Sequence, residues 1–258
     1  MLSVKNIKRL AEKKYRSELG LFMVEGEKNI QELLHSDFEI EGIAGTTYFL
    51  DSIIDLVNAY DERNGARIEL KEVKQDDLER AGTFVTNTSG IAVARQKEEL
   101  PIDTVIAEAQ KNIVLMLDDV RDPGNLGTII RIADWYGVTH IIASPTTTDF
   151  YNPKVIAATM GSFTRVSVLY SPLEEILEKT SALAIPVTAT TMEGKSTHES
   201  TLPQTGFLLM GSESHGVHTD LLPYTTAQVT IPRFGKAESL NVSVATGILL
   251  DSIRRGGR

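Results

Sequence analysis

Strand-like and helix-like segments alternate through the second half of the chain, and this alternation restricts the possible folds more than any other feature of the sequence. Ile113–Leu117 is a continuous apolar run, as is typical of parallel strands that are buried on both faces. Further strands are predicted at 138–143, 166–169, 187–190, 207–210 and 229–231, and helices at 126–136, 153–160, 172–179 and 242–254. This order predicts an α/β fold whose mostly parallel sheet is covered by helices on both faces.

The first part of the chain predicts a smaller α/β or α+β unit. A first helix is predicted to begin after the capping residue Ser3. It is followed by predicted strands at 21–24, 40–44, 68–73 and 91–94, and by helices at 27–34, 52–60 and 76–81. The stretch 96–103 is charged, contains Pro101 and has few apolar side chains, which indicates a linker. We therefore predict two domains, 1–96 and 109–258, joined by a linker at 97–108.

The composition excludes several classes of protein. The chain has no cysteine, which rules out disulfides, thiolate zinc sites and cysteine nucleophiles and suits the reducing cytoplasm. No uncharged stretch is longer than 14 residues, whereas a membrane helix needs about 20 apolar residues, so no membrane association is expected. The five histidines show no ligand spacing such as H-E-x-x-H, and we expect no metal site.

The net charge of −9 argues against a protein that binds polyanions over its whole surface, so any contact with nucleic acid must be local. Residues 1–16 form a basic exception, with Glu12 as their one acidic residue. They are either an ordinary solvated helix face or a nucleic-acid contact made by Lys5, Lys8, Arg9, Lys13, Lys14 and Arg16.

Three glycine-containing turns follow predicted strands of the second domain, where α/β proteins bind their ligands. The turns are 122–127 (DPGNLG), 211–216 (GSESHG) and 231–241 (IPRFGKAESLN). Gly211 and Gly216 have the spacing of a phosphate-binding loop, but Val217 and His218 stand where lysine and serine or threonine are needed. The dinucleotide fingerprint G-x-G-x-x-G is also absent from the turns, so neither common nucleotide motif explains them.

The polar side chains in these turns have structural and functional interpretations that both stay open. Asn125 could cap the helix that begins beside it, and Glu213 could be a turn residue. Ser239 or Asn241 could cap the last helix. Arg131 lies six residues after Asn125 on the same predicted helix, and its side chain can lean back toward the start of that helix.

Three segments of the chain together resemble, in order and spacing, the three motifs of the SpoU (TrmH-like) RNA ribose 2′-O-methyltransferases: DDVRDPGNLGTIIRIADWYG, LLMGSESHGV and IPRFGKAESLNVSVATGILL. The match runs from about residue 112 to the C-terminus and includes Asn-x5-Arg, G-x-E-x-x-G and S-L-N-V-S-V. The first part of the chain is similar to the L30e-like substrate-binding domain of many members. That similarity rests on the basic first helix with KYR at 14–16, and on FMVEG at 22–26 followed by a helix.

The resemblance implies a cytoplasmic, homodimeric enzyme that transfers a methyl group from S-adenosylmethionine to a ribose 2′-hydroxyl of RNA. It implies an L30e-like N-terminal domain and a catalytic domain with a C-terminal trefoil knot. The motifs assign five residues to the active site: Asn125, Arg131, Glu213, Ser239 and Asn241. The cofactor pocket is assigned Gly211, Ile231 and Leu240 by motif, and Thr190 as a further wall. Glycine at 211 is expected to let the chain approach the ligand closely.

Within this family resemblance, Arg131 is expected to hold the phosphate beside the reacting ribose. It cannot serve as a free base, because a guanidinium stays protonated with a pKa above about 12. The last helix carries apolar residues for a dimer contact, namely Val244, Ile248 and Leu249. Members with an L30e-like domain often act on 23S rRNA, which we favour over tRNA as the substrate. Two other classes stay open: a non-catalytic RNA-binding protein that keeps the fold, and an unrelated nucleotide-dependent enzyme of Rossmann type.

Overall fold

The computed structural model describes residues 2–256, which form ten α-helices and ten β-strands. The helices are α1 (Val4–Arg9), α2 (Lys13–Leu19), α3 (Glu27–Leu34), α4 (Thr47–Asn64), α5 (Gln75–Ala81), α6 (Ile102–Ala109), α7 (Pro123–Trp135), α8 (Pro153–Thr159), α9 (Leu173–Ser181) and α10 (Val242–Gly256). The strands are β1 (Leu21–Glu25), β2 (Ile40–Gly45), β3 (Glu69–Glu72), β4 (Gly90–Arg95), β5 (Ile113–Leu117), β6 (His140–Ala143), β7 (Ser167–Tyr170), β8 (Val187–Ser196), β9 (Gly206–Met210) and β10 (Ala227–Thr230). In this described part of the chain, no helix is both long enough and apolar enough to cross a membrane.

The elements fall into two compact units. The first comprises the described residues up to Glu98 together with Asp149–Thr164, and the second comprises Glu99–Thr148 and the residues from Arg165 onward. The first unit contains a four-stranded sheet in the order β1-β4-β2-β3. Strand β4 pairs antiparallel with β1 and β2, and β2 pairs parallel with β3. Strand β1 lies at the edge of this sheet but is buried along its whole length, because α2, α3 and α8 pack against it.

The first helix predicted from the sequence is two helices in the structure. Helix α1 ends at Arg9, and α2 begins at Lys13 after a short turn. The Nη1 atom of Arg16 donates hydrogen bonds to the carbonyl oxygens of Leu10 and Ala11, at 2.8 and 2.9 Å. These carbonyls follow the end of α1, so Arg16 satisfies acceptors that a continuous helix would have paired internally.

The segment Asp149–Thr164 belongs to the first unit, although the sequence assigned it to the second domain. Asp149 accepts hydrogen bonds from Arg16 at 3.1 and 2.5 Å. Tyr151 and Phe163 pack against Phe22 of β1, with ring centroids 4.7 and 6.1 Å apart. These contacts join residues far apart in the chain, which local sequence patterns do not reveal.

The second unit contains six parallel strands in the order β10-β8-β9-β5-β6-β7, which confirms the predicted parallel sheet. Every residue of β5 is buried. The predicted linker 97–108 differs from the structure, because α6 begins at Ile102 inside this range and continues to Ala109. Val105 and Ala109 of α6 are buried in the core of this unit, so the helix is part of the second unit.

Strand β8 contains an irregularity that bears on the candidate site. Gln228 and Val229 are consecutive in β10, but they pair with Ala189 and Lys195 of β8. The intervening residues 190–194 therefore leave the regular sheet, and we call them the β8 excursion. Gly194 closes the excursion, and an added Cβ there would lie only 2.5 Å from the backbone of Val229.

Candidate active site

The three predicted turns lie at one edge of the parallel sheet. Leu117 at the end of β5 pairs with Met210 at the end of β9, and Ala189 of β8 pairs with Leu209. Since β10 is parallel to these strands, the 231–241 turn also leaves the sheet at its carboxyl end. This is the edge at which open α/β sheets bind ligands.

Helix α7 brings Asn125 to this edge without using its side chain as a cap. The cap is Asp122, whose Oδ1 accepts a hydrogen bond from the Asn125 backbone amide at 2.8 Å. Pro123 at the first helical position has no N–H group that needs a partner. Of the two interpretations that the sequence left open for Asn125, the capping role is therefore wrong.

The side chains of Asn125, Glu213 and Asn241 form one hydrogen-bonded cluster, with one member from each predicted turn. Asn241 Nδ2 donates to Asn125 Oδ1 at 2.8 Å and to Glu213 Oε1 at 3.3 Å. Asn125 Nδ2 donates to the same oxygen of Glu213. The other carboxylate oxygen of Glu213 has no partner within residues 2–256, which leaves it available to a ligand.

Asn241 also fixes the start of α10. Its Oδ1 accepts hydrogen bonds from the backbone amide of Ser243 at 2.9 Å and from the Ser243 hydroxyl at 2.5 Å. The capping role that the sequence allowed is therefore real, and the same amide group contributes to the cluster. One side chain thus couples the position of the last helix to the site.

Arg131 and Ser239 lie outside the cluster. Both residues are exposed, and the described part of the chain gives neither side chain a hydrogen-bond or ion-pair partner. Arg131 follows Asn125 by six residues on α7, a rise of about 9 Å along the helix axis. A guanidinium without a carboxylate partner is free to make the charge-assisted hydrogen bonds that bind phosphate.

The residues predicted for the cofactor all lie at this edge of the sheet. Thr190 begins the β8 excursion, and its hydroxyl donates to the Leu209 carbonyl at 3.3 Å. Gly211 directly follows β9, and Ile231 directly follows β10. Leu240 is 48% exposed and lies beside Asn241 in the third turn.

The structure shows a reason for glycine at 211 that the sequence did not predict. An added Cβ would lie 2.0 Å from the carbonyl carbon of Gly216 and 2.1 Å from the nitrogen of Val217. The turn closes this tightly because Ser212 and Gly216 exchange two backbone hydrogen bonds of 3.0 Å. Glycine is therefore required at 211 by the turn itself, and this contact involves no ligand.

The arrangement suits S-adenosylmethionine. Adenine is flat and largely apolar, so backbone polar groups and aliphatic walls can bind it without a charged side chain. Ile231 and Leu240 provide aliphatic surface, and Met192 of the neighbouring β8 excursion is 68% exposed. The Thr191 hydroxyl in that excursion is buried and has no hydrogen-bond partner within residues 2–256. Buried polar atoms are usually hydrogen-bonded, so this hydroxyl suits a contact with a bound ligand.

A polar cavity beside the cluster was not predicted from the sequence. It measures about 250 Å³ and is lined by Asp119, Arg121, Asp122, Glu213, Ser214 and His215. The signal that could have revealed it is the density of charge in DDVRD, where four of the five residues 118–122 are charged directly after a buried strand.

Asp119 organises this cavity. Its backbone adopts a positive φ of 60°, and its amide donates to the Ser144 hydroxyl at 2.9 Å. Its carboxylate accepts a hydrogen bond from Arg121 Nε at 2.7 Å and lies 3.9 Å from His215 Nε2. Burial raises the pKa of Asp119, but hydrogen bonds from Arg121 and Thr146 and nearby positive charge outweigh it, so the pKa lies below its ordinary value.

The basic residues near the N-terminus fall into two groups. Five of them are exposed, as a contact with nucleic acid requires: Lys5, Lys8, Arg9, Lys13 and Lys14. Arg16 is only 2% exposed, and its guanidinium is bonded to Asp149 and to two backbone carbonyls. Its assignment as an RNA contact is therefore wrong, because its donors are already used within the first unit.

Comparison with known proteins identifies the family. Residues 112–251 match the sequence model of the SpoU rRNA Methylase family, and residues 2–91 match that of the MRM3-like substrate binding domain. This chain belongs to the SpoU rRNA methylase family. This SpoU methylase is 31% identical over 252 residues to the 23S rRNA (guanosine(2553)-2′-O)-methyltransferase RlmP of Bacillus subtilis (strain 168), covering 97% of this chain and 95% of that protein.

Two further relatives bear on the cofactor and the substrate. The AdoMet-bound rRNA methyltransferase of Sinorhizobium meliloti matches with a TM-score of 0.83 and 31% identity, covering 98% of this chain and 94% of that one. The tRNA (guanosine(18)-2′-O)-methyltransferase of Aquifex aeolicus (strain VF5) is 29% identical over 160 residues, which is 58% of this chain and 72% of that protein.

Family membership confirms the predicted class of enzyme, an RNA ribose 2′-O-methyltransferase that uses S-adenosylmethionine. It also confirms an N-terminal domain followed by a catalytic α/β domain, and it excludes the unrelated Rossmann-type enzyme. The kinship of the N-terminal domain with L30e stays a prediction.

Proposed function

We propose that this SpoU methylase transfers the methyl group of S-adenosylmethionine to a ribose 2′-hydroxyl of 23S rRNA. The observation that carries the proposal is the cluster of Asn125, Glu213 and Asn241, which unites a polar residue of each motif beside the cofactor residues. The similarity to RlmP extends through the N-terminal substrate domain, whereas the similarity to the tRNA enzyme covers little more than half of the chain. We therefore favour 23S rRNA over tRNA.

The chain's own residues must align the hydroxyl and remove its proton. When bound, the cofactor supplies the electrophilic methyl group of a sulfonium. Arg131 holds the phosphate beside the reacting ribose and polarises the hydroxyl, while that phosphate accepts the proton because the guanidinium is already protonated. Glu213, fixed through one oxygen by Asn125 and Asn241, orients the ribose with its other oxygen. Ser239 completes the polar surface.

Binding of the RNA is assigned to the first domain, residues 1–96. Lys5, Lys8, Arg9, Lys13 and Lys14 are exposed within a chain whose net charge is −9, so they supply a local basic surface. The Arg9 guanidinium lies 4.1 Å from the centre of the Tyr15 ring, and Lys14 lies 5.9 Å from it, which holds these cations near one another.

The catalytic domain, 109–258, is proposed to carry a trefoil knot and to form a homodimer. Val244 and Ile248 of α10 are 50% and 37% exposed, and Trp135 of α7 is 84% exposed, so helices that pack on each other leave apolar surface uncovered. Leu249, which the sequence added to this surface, is only 1% exposed and belongs to the core. An rRNA substrate also agrees with the predicted cytoplasmic location.

The test is methylation of 23S rRNA and tRNA purified from a strain that lacks the gene, with S-adenosylmethionine labelled at the methyl group. We expect label in a single 2′-O-methylated nucleotide of 23S rRNA, located by mass spectrometry. If only tRNA is labelled, the substrate is tRNA and the proposal of 23S rRNA is wrong. Calorimetry that shows no binding of S-adenosylmethionine, with and without RNA, would instead favour the non-catalytic RNA-binding protein.

A further inference from the structure

The turn 231–241 carries an aromatic side chain that the folded chain leaves almost uncovered. The ring of Phe234 is 88% exposed, although burial of such a side chain contributes about 1.5–3 kcal/mol. Apart from its neighbours in the chain, a Cβ added at Gly235 would have no atom of residues 2–256 within 4 Å, so this part of the turn projects into solvent. We propose that Phe234 stacks against an unpaired RNA base near the target nucleotide, an assignment that rests on the proposed function.

The chain around Phe234, residues 232–237, is called here the aromatic loop, and it joins the sheet to the candidate active site. It follows β10, and the chain then continues to Asn241, whose side chain is bonded to Asn125 and Glu213. Seven residues of chain lead from Phe234 to Asn241, and they span at most about 25 Å. A base that stacks on Phe234 therefore belongs to the nucleotides near the reacting ribose.

A turn after β8 supports the ring of Phe234 from one side. The centre of the His198 ring lies 6.1 Å from that of Phe234, with an angle of 34° between the planes. Two backbone hydrogen bonds fix the turn that carries this histidine. The Thr197 amide donates to the Thr230 carbonyl at 3.0 Å, and the His198 amide donates to the Ser196 hydroxyl at 3.2 Å. The histidine thus restricts the ring and leaves its remaining surface to solvent.

Two cations flank the ring in the chain. Arg233 precedes Phe234 and Lys236 follows it by two residues, and both are exposed and without an ion-pair partner in the described part of the chain. The Nη1 atom of Arg233 donates to the Ala237 carbonyl at 3.4 Å, which holds the guanidinium across the loop. Proteins bind single-stranded nucleic acid with this combination, in which the ring stacks on a base and the cations contact phosphates.

Acidic residues beside the aromatic loop make stacking the larger contribution. Glu238 lies two residues beyond Lys236, and Glu199 follows His198, so this surface has little net charge to attract a polyanion. Stacking needs no net charge and contributes about 1–3 kcal/mol per base. It also tolerates any sequence, because every base has a π-face. We therefore expect Phe234 to strengthen RNA binding without selecting a particular base.

The residues around Phe234 do not suit a second copy of the chain as the occupant. Protein interfaces bury contiguous apolar surface, whereas Phe234 stands in the chain between Arg233 and Gly235. The apolar side chains proposed for the dimer contact lie on other elements, α7 and α10. An aromatic ring between a guanidinium and a lysine suits RNA better than another protein surface.

Substitutions at position 234 separate stacking from simple burial of apolar surface. Phe234→Trp keeps an aromatic face, Phe234→Leu keeps an apolar side chain without that face, and Phe234→Ala removes both. The substrate is 23S rRNA from a strain that lacks the gene. The leucine and alanine variants should raise KM for this RNA at least about fivefold, whereas the tryptophan variant should stay near the wild-type value.

The matched control is Leu183→Ala. Leu183 is also an exposed apolar side chain of the second unit, at 48%. It precedes β8 in the chain, so it lies toward the opposite edge of the parallel sheet from the aromatic loop. This variant should keep the wild-type KM.

Phe234→Trp also reports the contact directly. Trp135 is the one tryptophan of the natural chain, so the wild-type protein supplies the background fluorescence. Addition of 23S rRNA should quench the fluorescence of the introduced tryptophan beyond that background. Lys236→Ala should reduce the slope of the logarithm of the binding constant against that of salt concentration by roughly 0.7. Phe234→Ala should weaken binding with the slope unchanged, because it removes no charge.

The stacking contact is wrong if Phe234→Ala and Phe234→Leu keep the wild-type KM, or if the introduced tryptophan is not quenched; methylation by the wild-type protein would then leave the proposed function intact. An equal loss of affinity for S-adenosylmethionine in calorimetry would instead place Phe234 at the cofactor. Dissociation of a wild-type dimer in Phe234→Ala, seen by light scattering, would place it at the dimer contact. Both results would overturn the assignment. A wild-type protein that methylates no RNA would overturn the proposed function, while quenching by 23S rRNA would still decide the stacking.

Discussion

Replacing Asp149 with alanine should destabilise the first unit by about 3 kcal/mol. The Arg16 guanidinium is 2% exposed, and its partner Asp149 is 19% exposed. Asp149 accepts two of the guanidinium's four hydrogen bonds, and the others end on backbone carbonyls. Removing one partner of a buried pair costs about 3–5 kcal/mol because the remaining charge is uncompensated. The lower value is expected here, since Asp149 is near enough to solvent for water to replace it in part.

Urea unfolding of the full chain measures this effect. With a slope of about 2 kcal/mol per molar urea, the transition of the first unit should move by roughly 1.5 M. Hydrogen exchange assigns the transition, because peptides of β1 should lose protection while those of β5 keep theirs. Joint replacement of the exposed Lys13 and Lys14 by alanine is the control, and it should leave stability within about 0.5 kcal/mol.

The opposite interpretation makes a distinct prediction. If Arg16 bound RNA, Asp149→Ala would free its guanidinium and strengthen RNA binding without affecting stability. A variant that unfolds at the wild-type urea concentration, with β1 as well protected as before, would refute the structural role of the pair.

Three further predictions concern activity, RNA binding and assembly. Arg131→Ala should abolish methyl transfer and retain the affinity for S-adenosylmethionine. Arg131→Lys should also lose methyl transfer, because an ammonium group lacks the planar, two-pronged arrangement of donors of a guanidinium. Single-turnover assays and calorimetry test both variants, and full activity of Arg131→Ala would contradict the assignment. Joint replacement of Lys13 and Lys14 by alanine should weaken RNA binding in filter assays. It should also reduce the slope of the logarithm of the binding constant against the logarithm of salt concentration by roughly 0.7–0.9 per lost phosphate contact. If the variant binds RNA as the wild type does, these lysines are an ordinary solvated helix face. Light scattering should give a dimer at micromolar concentration, and a mass near 28.3 kDa would contradict it.

The elements that the sequence predicted best are those whose pattern is complete within a few residues. The apolar run Ile113–Leu117 is β5, and the predicted helix 27–34 is α3 with the same bounds. Helix α6 was missed because Pro101 and the charges before it indicate a linker, while burial of α6 depends on packing within the second unit. The pairing of Arg16 with Asp149 spans 133 positions, so no local pattern could distinguish this arginine from its exposed neighbours.

For the site as well, the sequence motifs predicted which residues come together but not the contacts that surround them. The motifs identified Asn125, Glu213 and Asn241, and the structure joins them in one cluster. They did not reveal why Gly211 must be glycine, because the contact that forbids a side chain lies across the turn, at Gly216 and Val217. Replacing Gly211 with valine would therefore disrupt the turn, and a resulting loss of cofactor binding would not locate the cofactor.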